Sequence, residues 1–259
     1  MKPIIISIAS IKGGVAKTTT SHALACYLSK DHKVLLWDND PQRSLTLATV
    51  DTSEIQHTAY DVIQNKIDPT VAAVKALPTY KNIDVIPASN QLAGLEAATS
   101  TNIDRMFLFQ DAVAGLSSYD FLIFDCPSSI GLLTSGPLVA SDYAISPVAC
   151  APAAFETLSS LQETIAIIQR RLNPRLKWFI LPTLFDQRQV LDRDVLAEIQ
   201  KQYGDLVLGP PIRKRISLAE DMAAQRPCSN EDYQEFTHNF LERIHHEKQQ
   251  EVCTEKPFF

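Results

Sequence analysis

The stretch Ile11-Lys12-Gly13-Gly14-Val15-Ala16-Lys17-Thr18-Thr19 decides how this chain reads. Residues 3–10, just before it, are apolar and largely β-branched, as in a strand buried inside a parallel sheet. Residues 18–30, just after it, place Ala23, Leu24, Tyr27 and Leu28 on one helical face, so an amphipathic helix is expected. Strand, glycine turn and helix in that order form the setting in which backbone N–H groups cradle a phosphate. Adjacent glycines let the backbone turn tightly and aim those groups at oxyanions. Lys17 reaches toward β- and γ-phosphates, and the Thr18 hydroxyl is a ligand for Mg²⁺. The candidate nucleotide contacts are therefore Lys12, Gly13, Gly14, Val15, Ala16, Lys17, Thr18 and Thr19.

Outward from the loop, short apolar bursts alternate with longer segments of helical period. Strands are expected at 33–37, 83–86, 121–124, 143–146 and 178–184, and helices at 155–171, 192–203 and 230–248. This alternation implies an α/β fold with a mostly parallel sheet and helices on both faces. No repeat or low-complexity linker interrupts it, so 1–259 reads as one domain. Pro210-Pro211 marks a loop. The final helix, about 230–250, carries Phe236, Phe240 and Ile244 on one side and is expected to pack on the body; 251–259 is expected to be a flexible tail.

Composition narrows the class. The 259 residues are 45% hydrophobic and 21% charged, which excludes disordered, collagen-like and coiled-coil chains. The net charge of −6 requires any DNA-binding surface to be a local patch. The five cysteines are scattered, odd in number and without a C-x-x-C pair. They read as small buried hydrophobes in a reducing compartment, and the protein as cytoplasmic. The first apolar run leads into Lys12-Gly13-Gly14, not into a cleavage site, and no stretch is long enough to span a bilayer.

Two segments supply carboxylates. Asp38-Asn39-Asp40-Pro41-Gln42 follows the second strand, at the edge of a parallel sheet where ligands sit. Asp40 could orient or activate an attacking water, and Asp38 could hold Mg²⁺ through water. Phe121-Leu122-Ile123-Phe124-Asp125 is four apolar residues and then an acid, the Walker B arrangement that brings one carboxylate near the metal.

The loop departs from G-x-x-x-x-G-K-[ST], whose glycine positions would fall on Ile11 and Ala16. It fits the deviant form K-G-G-x-x-K-[ST], with Lys12 as the additional lysine, and in this it resembles the ParA/MinD class of P-loop ATPases. The resemblance spans nearly the whole chain. Asp125-Cys126-Pro127-Ser128-Ser129 is similar to the D-x-P-P-S stretch of ParA proteins, with Ser128 in place of the second proline. D-x-D-P-Q at 38–42 is closer to ParA than to MinD. Ile145-Ser146-Pro147-Val148 looks like the strand before the family's long helix, and Glu220 and Pro227 match the S-E-A-x-x-x-x-x-P segment. With no segment before the first strand, the chain resembles the short form that lacks an N-terminal helix-turn-helix.

The resemblance implies ATP and Mg²⁺ as cofactors, with Pro211 joining the nucleotide-binding set and Lys12, Lys17 and Asp40 as the catalytic set. The family's extra lysine crosses a dimer interface to the partner's nucleotide, and Lys12 matches it. Two facing triphosphates need more cations than each site supplies alone, so a lysine given in trans lets dimerisation sense the nucleotide. The resemblance also implies a homodimer with ATP, non-specific DNA binding, and a ParB-like or cargo-adaptor protein that stimulates hydrolysis. One family DNA-binding position falls on Arg188. Another falls near Ser217, where the family often has arginine; Arg213, Lys214 and Arg215 lie just upstream and could compensate. Arg170, Arg171, Arg175 and Lys177 form a second cluster. Each phosphate contact lowers log K by roughly 0.9 per log unit of salt.

The leading expectation is therefore a nucleoid-associated partitioning ATPase for a plasmid, a chromosome or a protein assembly. A MinD-like membrane-cycling regulator is the second. A membrane is the less suitable partner, because Glu247, Glu251 and Glu255 oppose Lys248 and Lys256, and a membrane-surface helix would be more basic. A metabolic ATP-dependent enzyme on the same scaffold is the third. His245 and His246 are adjacent and do not share a helix face, which makes them a poor metal pair.

Overall fold

The computed structural model describes residues 2–254. Phe258, Phe259 and the rest of the expected tail past 254 lie outside the described residues, as does the Cys253 side chain. Seven strands form one sheet: β1 (Ile4–Ile8), β2 (Val34–Asp38), β3 (Val74–Lys75), β4 (Ile83–Ile86), β5 (Phe121–Asp125), β6 (Tyr143–Ala149) and β7 (Lys177–Thr183). Their order is β3-β4-β2-β5-β1-β6-β7, parallel throughout except for the two-residue edge strand β3. β1, β2 and β5 are central and almost wholly buried, which is why their sequences are apolar without alternation.

The helices are α1 (Lys17–Leu28), α2 (Ser44–Thr49), α3 (Ala59–Asn65), α4 (Pro69–Ala72), α5 (Leu95–Ala98), α6 (Leu108–Val113), α7 (Leu132–Ala140), α8 (Ala154–Arg171), α9 (Val190–Tyr203), α10 (Ile216–Ala223) and α11 (Glu231–Thr254). They cover both faces. One buried cluster joins Trp37, Phe109, Phe124 and Leu138 to the apolar side of α8; the other joins α1 and α11 to Ile6, Ile8, Leu36 and Ile123. Trp37 and Phe124 sit with ring centroids 5.1 Å apart, and Phe109 meets Phe124 edge-on at 5.8 Å. Each such fully buried ring contributes about 3 kcal/mol, and truncating one to Ala costs about 3–5 kcal/mol. Gly136 makes room for this cluster: a Cβ there would come within 2.4 Å of the Phe109 ring.

Two expectations need correction. First, α1 is not the amphipathic helix expected, because it has almost no polar face. Ten of its twelve residues are buried, because α11 packs over the side turned away from the sheet. Its polar residues pair internally: Thr20 Oγ1 lies 2.9 Å from the Tyr233 hydroxyl, and His22 Nε2 lies 3.1 Å from the Tyr80 hydroxyl. Second, the strand expected at 178–184 is Lys177–Thr183; Leu184 turns into the left-handed region at φ 54° and ends it. On α11, Tyr233, Phe236, Phe240 and Ile244 are buried, and the helix runs to Thr254, past the expected end. Helices α3, α6 and α7 carry no long apolar period and were not expected.

Candidate functional site

The phosphate loop joins the buried end of β1 to α1. Gly14 has φ 72°, and Ala16 adopts φ 67°, a left-handed conformation that a side chain adopts at a cost. These two residues give the loop its curl at the N-terminus of α1, where exposed N–H groups and the helix dipole favour an anion. Val15 is buried, and its carbonyl accepts a 3.1 Å hydrogen bond from the Thr183 hydroxyl, which fastens the loop to the end of β7.

Lys17 lies under the loop. Its ammonium donates to the Lys12 carbonyl at 3.1 Å and to Ser128 Oγ. Burial pulls the Lys17 pKa down, while the nearby carboxylates of Asp125 and Asp40 pull it up. Lys12 differs: its side chain is exposed, and its ammonium has no partner among the described residues. Gly13 is exposed, and Thr18 and Thr19 are half-buried. Pro211 is half-buried in the segment beside β7, where Ile212 N–H donates to the Pro182 carbonyl at 2.9 Å. Among the described residues no hydrogen bond ties Pro211 to the loop.

The carboxylates converge behind the loop. Asp38 and Asp125 end neighbouring strands and are partners across the β2–β5 ladder. Both are fully buried. Asp125 Oδ1 accepts from the Ser21 hydroxyl at 2.8 Å, and the Thr18 hydroxyl lies near enough to the carboxylate to favour its charged form. Burial, then the neighbouring Asp38, pushes Asp125 up to about 7. Asp38 is pushed up to about 6 by burial, opposed by hydrogen bonds from the Thr46 hydroxyl and N–H and from Asp40 N–H. The Thr46 hydroxyl donates to Asp38 at 2.6 Å and accepts from Ala88 N–H at 2.9 Å, so its direction is fixed.

Asp125 Oδ2 is a buried oxygen with no hydrogen-bond partner. An unpaired carboxylate oxygen beside a threonine hydroxyl and a phosphate loop fits Mg²⁺, which takes one or two protein oxygens and completes its shell with phosphates and water. Among the described residues no group of three or more His, Cys, Asp or Glu could hold a metal alone, so the phosphates are needed as ligands. Asp38 fits this role less well than expected. Its Oδ1 accepts from Asp40 N–H and its Oδ2 from Thr46, whereas Asp125 keeps one oxygen unpartnered, so Asp38 orders the α2 end of the site. Asp40 is half-buried; its Oδ1 accepts from Gln42 N–H at 2.9 Å.

The basic segments also meet. Phe185 and Arg213 form a bridge, and residues 185–189 and 213–216 line one surface pocket of about 490 Å³. The four expected DNA contacts are not equivalent, however. Arg213 donates to the buried Asp232 through its backbone N–H and its guanidinium, a bidentate pair that holds the segment to α11. Arg188 is paired with Asp186 two residues away at 2.8 Å, although it is 85% exposed. Lys214 and Arg215 are exposed and form no side-chain pair among the described residues. In the second cluster Lys177 pairs with Glu247 at 3.1 Å.

Sequence reasoning passed over Ser21, Thr46 and the Lys17 contact made by Ser128. Ser21, four residues beyond Lys17 on α1, could have been found from helical spacing. No local pattern marks the other two.

A buried strand, a glycine loop capping a helix, and a second strand ending in a lone buried carboxylate define a P-loop nucleoside triphosphatase. A family described as AAA domain matches residues 3–178. The sporulation initiation inhibitor protein Soj of Bacillus subtilis is 37% identical over 227 residues, 86% of this chain and 89% of Soj. Among solved structures, a cobyrinic acid a,c-diamide synthase from Mycobacterium smegmatis with an ATP analogue and magnesium superposes with TM-score 0.81 at 32% identity, covering 92% of this chain and 94% of that one. A putative plasmid partition protein from Borrelia burgdorferi bound to AMPPNP gives TM-score 0.79 at 29% identity, covering 95% and 100%. The chain belongs to the ParA/MinD/Soj family of deviant-Walker-A ATPases. Among the described residues no helix is long and apolar enough to cross a membrane.

Proposed function

We propose that this protein is an ATP-dependent partitioning or positioning ATPase of the cytoplasm, with 1–259 acting as one unit. ATP closes a sandwich dimer, the dimer binds nucleoid DNA without sequence preference, and a ParB-like or cargo-adaptor protein stimulates hydrolysis and release. The cargo is a plasmid, a chromosome or a protein assembly. The observation that carries the reading is the contrast between the two lysines of the loop. Lys17 is buried and held in place, whereas Lys12 is exposed on the rim with its charge uncompensated. A cation so placed serves a phosphate outside its own loop, and the triphosphate of a second copy is such a phosphate. Ile130, two residues after Ser128, is 51% exposed and offers apolar surface for a second copy to bury. Relatives named for chromosome and plasmid partition support the biological setting.

The chain's residues divide the work. The loop N–H groups and Lys17 bind and orient the phosphates. Thr18 and Asp125 would hold Mg²⁺, which would supply positive charge against the β- and γ-phosphates. Asp40 keeps one oxygen clear of its Gln42 contact and orients the attacking water there. Lys12 stabilises charge that develops at the partner's transferring phosphoryl group. Lys214 and Arg215, with Arg188 beside them, neutralise DNA phosphates. A dimer doubles this small patch, which compensates for the acidic chain as a whole.

DNA retention measured with ATP, ADP and no nucleotide, across a salt series, tests the reading. Retention with ATP alone, weakening steeply with salt, is expected. Equal retention in all three states contradicts it. A second reading, an ATP-dependent amide-forming enzyme, is favoured by the name of the M. smegmatis structure. It requires phosphate release that depends on a small carboxylic acid and is indifferent to DNA.

A further inference from the structure

Where the D-x-P-P-S stretch has a second proline, this chain has Ser128, and the substitution lands on the phosphate site. Ser128 Oγ accepts a hydrogen bond from the Lys17 ammonium. It also lies over the glycine turn, 3.7 Å from where a Cβ on Gly13 would be. A hydroxyl has one proton to give and lone pairs to accept with. Lys17 engages a lone pair, and the Ser128 proton has no acceptor among the described residues. Residue 128 is exposed and its hydroxyl rotates freely, so the proton can turn to an acceptor that reaches Lys17 and the glycine turn from solvent. A proline at this position would have no such group.

The segment carrying Ser128 is tied to a helix. The Ser129 carbonyl accepts from the Thr134 hydroxyl at 2.7 Å, and the Gly131 carbonyl accepts from Thr134 and Ser135 N–H at 3.1 and 2.8 Å. A contact between Ser128 and a phosphate therefore fixes the start of α7 as well as the loop.

We propose that Ser128 is a positioning residue that discriminates ATP from ADP. Its oxygen steadies Lys17 in the phosphate-binding direction, and its proton is donated to the terminal phosphate of bound ATP. ADP lacks that phosphate and leaves the donor to water. The inference rests on the reading of Lys17 as the phosphate-binding cation given above, and it adds a second contact to the terminal phosphate.

The test is calorimetric binding of Mg²⁺–AMPPNP and Mg²⁺–ADP to the full chain in three forms: native, S128A and S128T. S128A is expected to weaken AMPPNP about tenfold, the loss of one hydrogen bond to a charged group, and ADP by less than about twofold. S128T keeps the hydroxyl and is expected to restore AMPPNP binding to within about threefold of native. Equal losses for both nucleotides, no loss, or a failure of S128T to restore binding overturns the proposal. DNA retention reads the dimer account separately. Unchanged affinities in S128A with ATP-dependent DNA retention in the native chain overturn Ser128 alone. A normal affinity ratio without DNA retention overturns only the partitioning account.

Discussion

Asp38 and Asp125 stand opposite each other on one rung of the β2–β5 ladder, both wholly buried at the strand ends behind the phosphate loop. Both are pushed up, with burial the largest cause for each; the Asp38 charge adds to the rise at Asp125, and the Asp40 charge to the rise at Asp38. Thr46 and Ser21 offset part of that cost, yet Asp125 Oδ2 stays unpaired. A cation beside Asp125 Oδ2 would favour the charged form that burial disfavours.

Asp125→Asn should separate stability from function. Removing a buried charge stabilises the nucleotide-free fold by about 1 kcal/mol, because Asn still accepts from Ser21. Magnesium-dependent nucleotide affinity should fall at least about tenfold. Thermal melts with and without Mg²⁺–nucleotide check both; a destabilised apo protein with intact magnesium dependence contradicts the assignment.

Lys17→Ala should abolish ATP binding, since the phosphates lose their main cation and the loop loses the contacts to Lys12 and Ser128. Fluorescent-nucleotide titration is the measurement. Affinity within about threefold of native would place the phosphate cation elsewhere.

Asp40→Ala should keep ATP bound but slow hydrolysis by about a hundredfold or more, the scale of a lost water-orienting group. The variant should accumulate as an ATP-bound dimer held on DNA. Gel filtration that shows it monomeric with ATP contradicts the role given to Asp40.

The basic segment should divide by residue. Arg213→Ala strips a buried Asp232 of its bidentate partner, so it should lower Tm. Lys214→Ala and Arg215→Ala should leave Tm unchanged and flatten the salt dependence of DNA binding by roughly one unit of slope per phosphate contact removed. DNA affinity lost in Arg213→Ala at full stability, with the other two variants silent, would reverse the assignment.

His22 gives a pH signature. Burial depresses its pKa to about 4, against the raising pull of Asp221; Tyr80 and Cys26 complete its surroundings. The fold holds it neutral while the unfolded chain takes up a proton below about 6.5, so stability is lost as pH falls from 6.5 toward 4. The loss reaches at most about 3 kcal/mol. Asp38 and Asp125, with raised values, act in the opposite sense over the same window, so the quantity to measure is native minus His22→Gln in denaturant melts. A difference that does not change between pH 7 and 4 contradicts it.

What the sequence discloses follows the range over which its forces act. The phosphate loop, the buried strands and the carboxylates at their ends depend on neighbours in the chain, and they were legible there. The long helix α8 was legible because Leu158, Leu161, Ile165 and Ile168 repeat one face. α7 was not, because a nine-residue helix interrupted by Pro137 completes too few turns to show a period. The burial of α1 depends on α11, some two hundred residues later, so nothing near Thr20 or His22 in the chain shows that Tyr233 and Tyr80 partner them. The basic run 213–215 looked uniform because composition does not show that Asp232 has claimed its first member.

The central claim, that Lys12 serves a second copy's nucleotide, is tested most directly by light scattering of native and Lys12→Ala protein with Mg²⁺–AMPPNP. The native chain should double its mass with AMPPNP and not with ADP, while Lys12→Ala binds nucleotide yet stays at monomer mass. A variant that dimerises as readily as the native chain, or a native chain that stays monomeric with AMPPNP, contradicts the account.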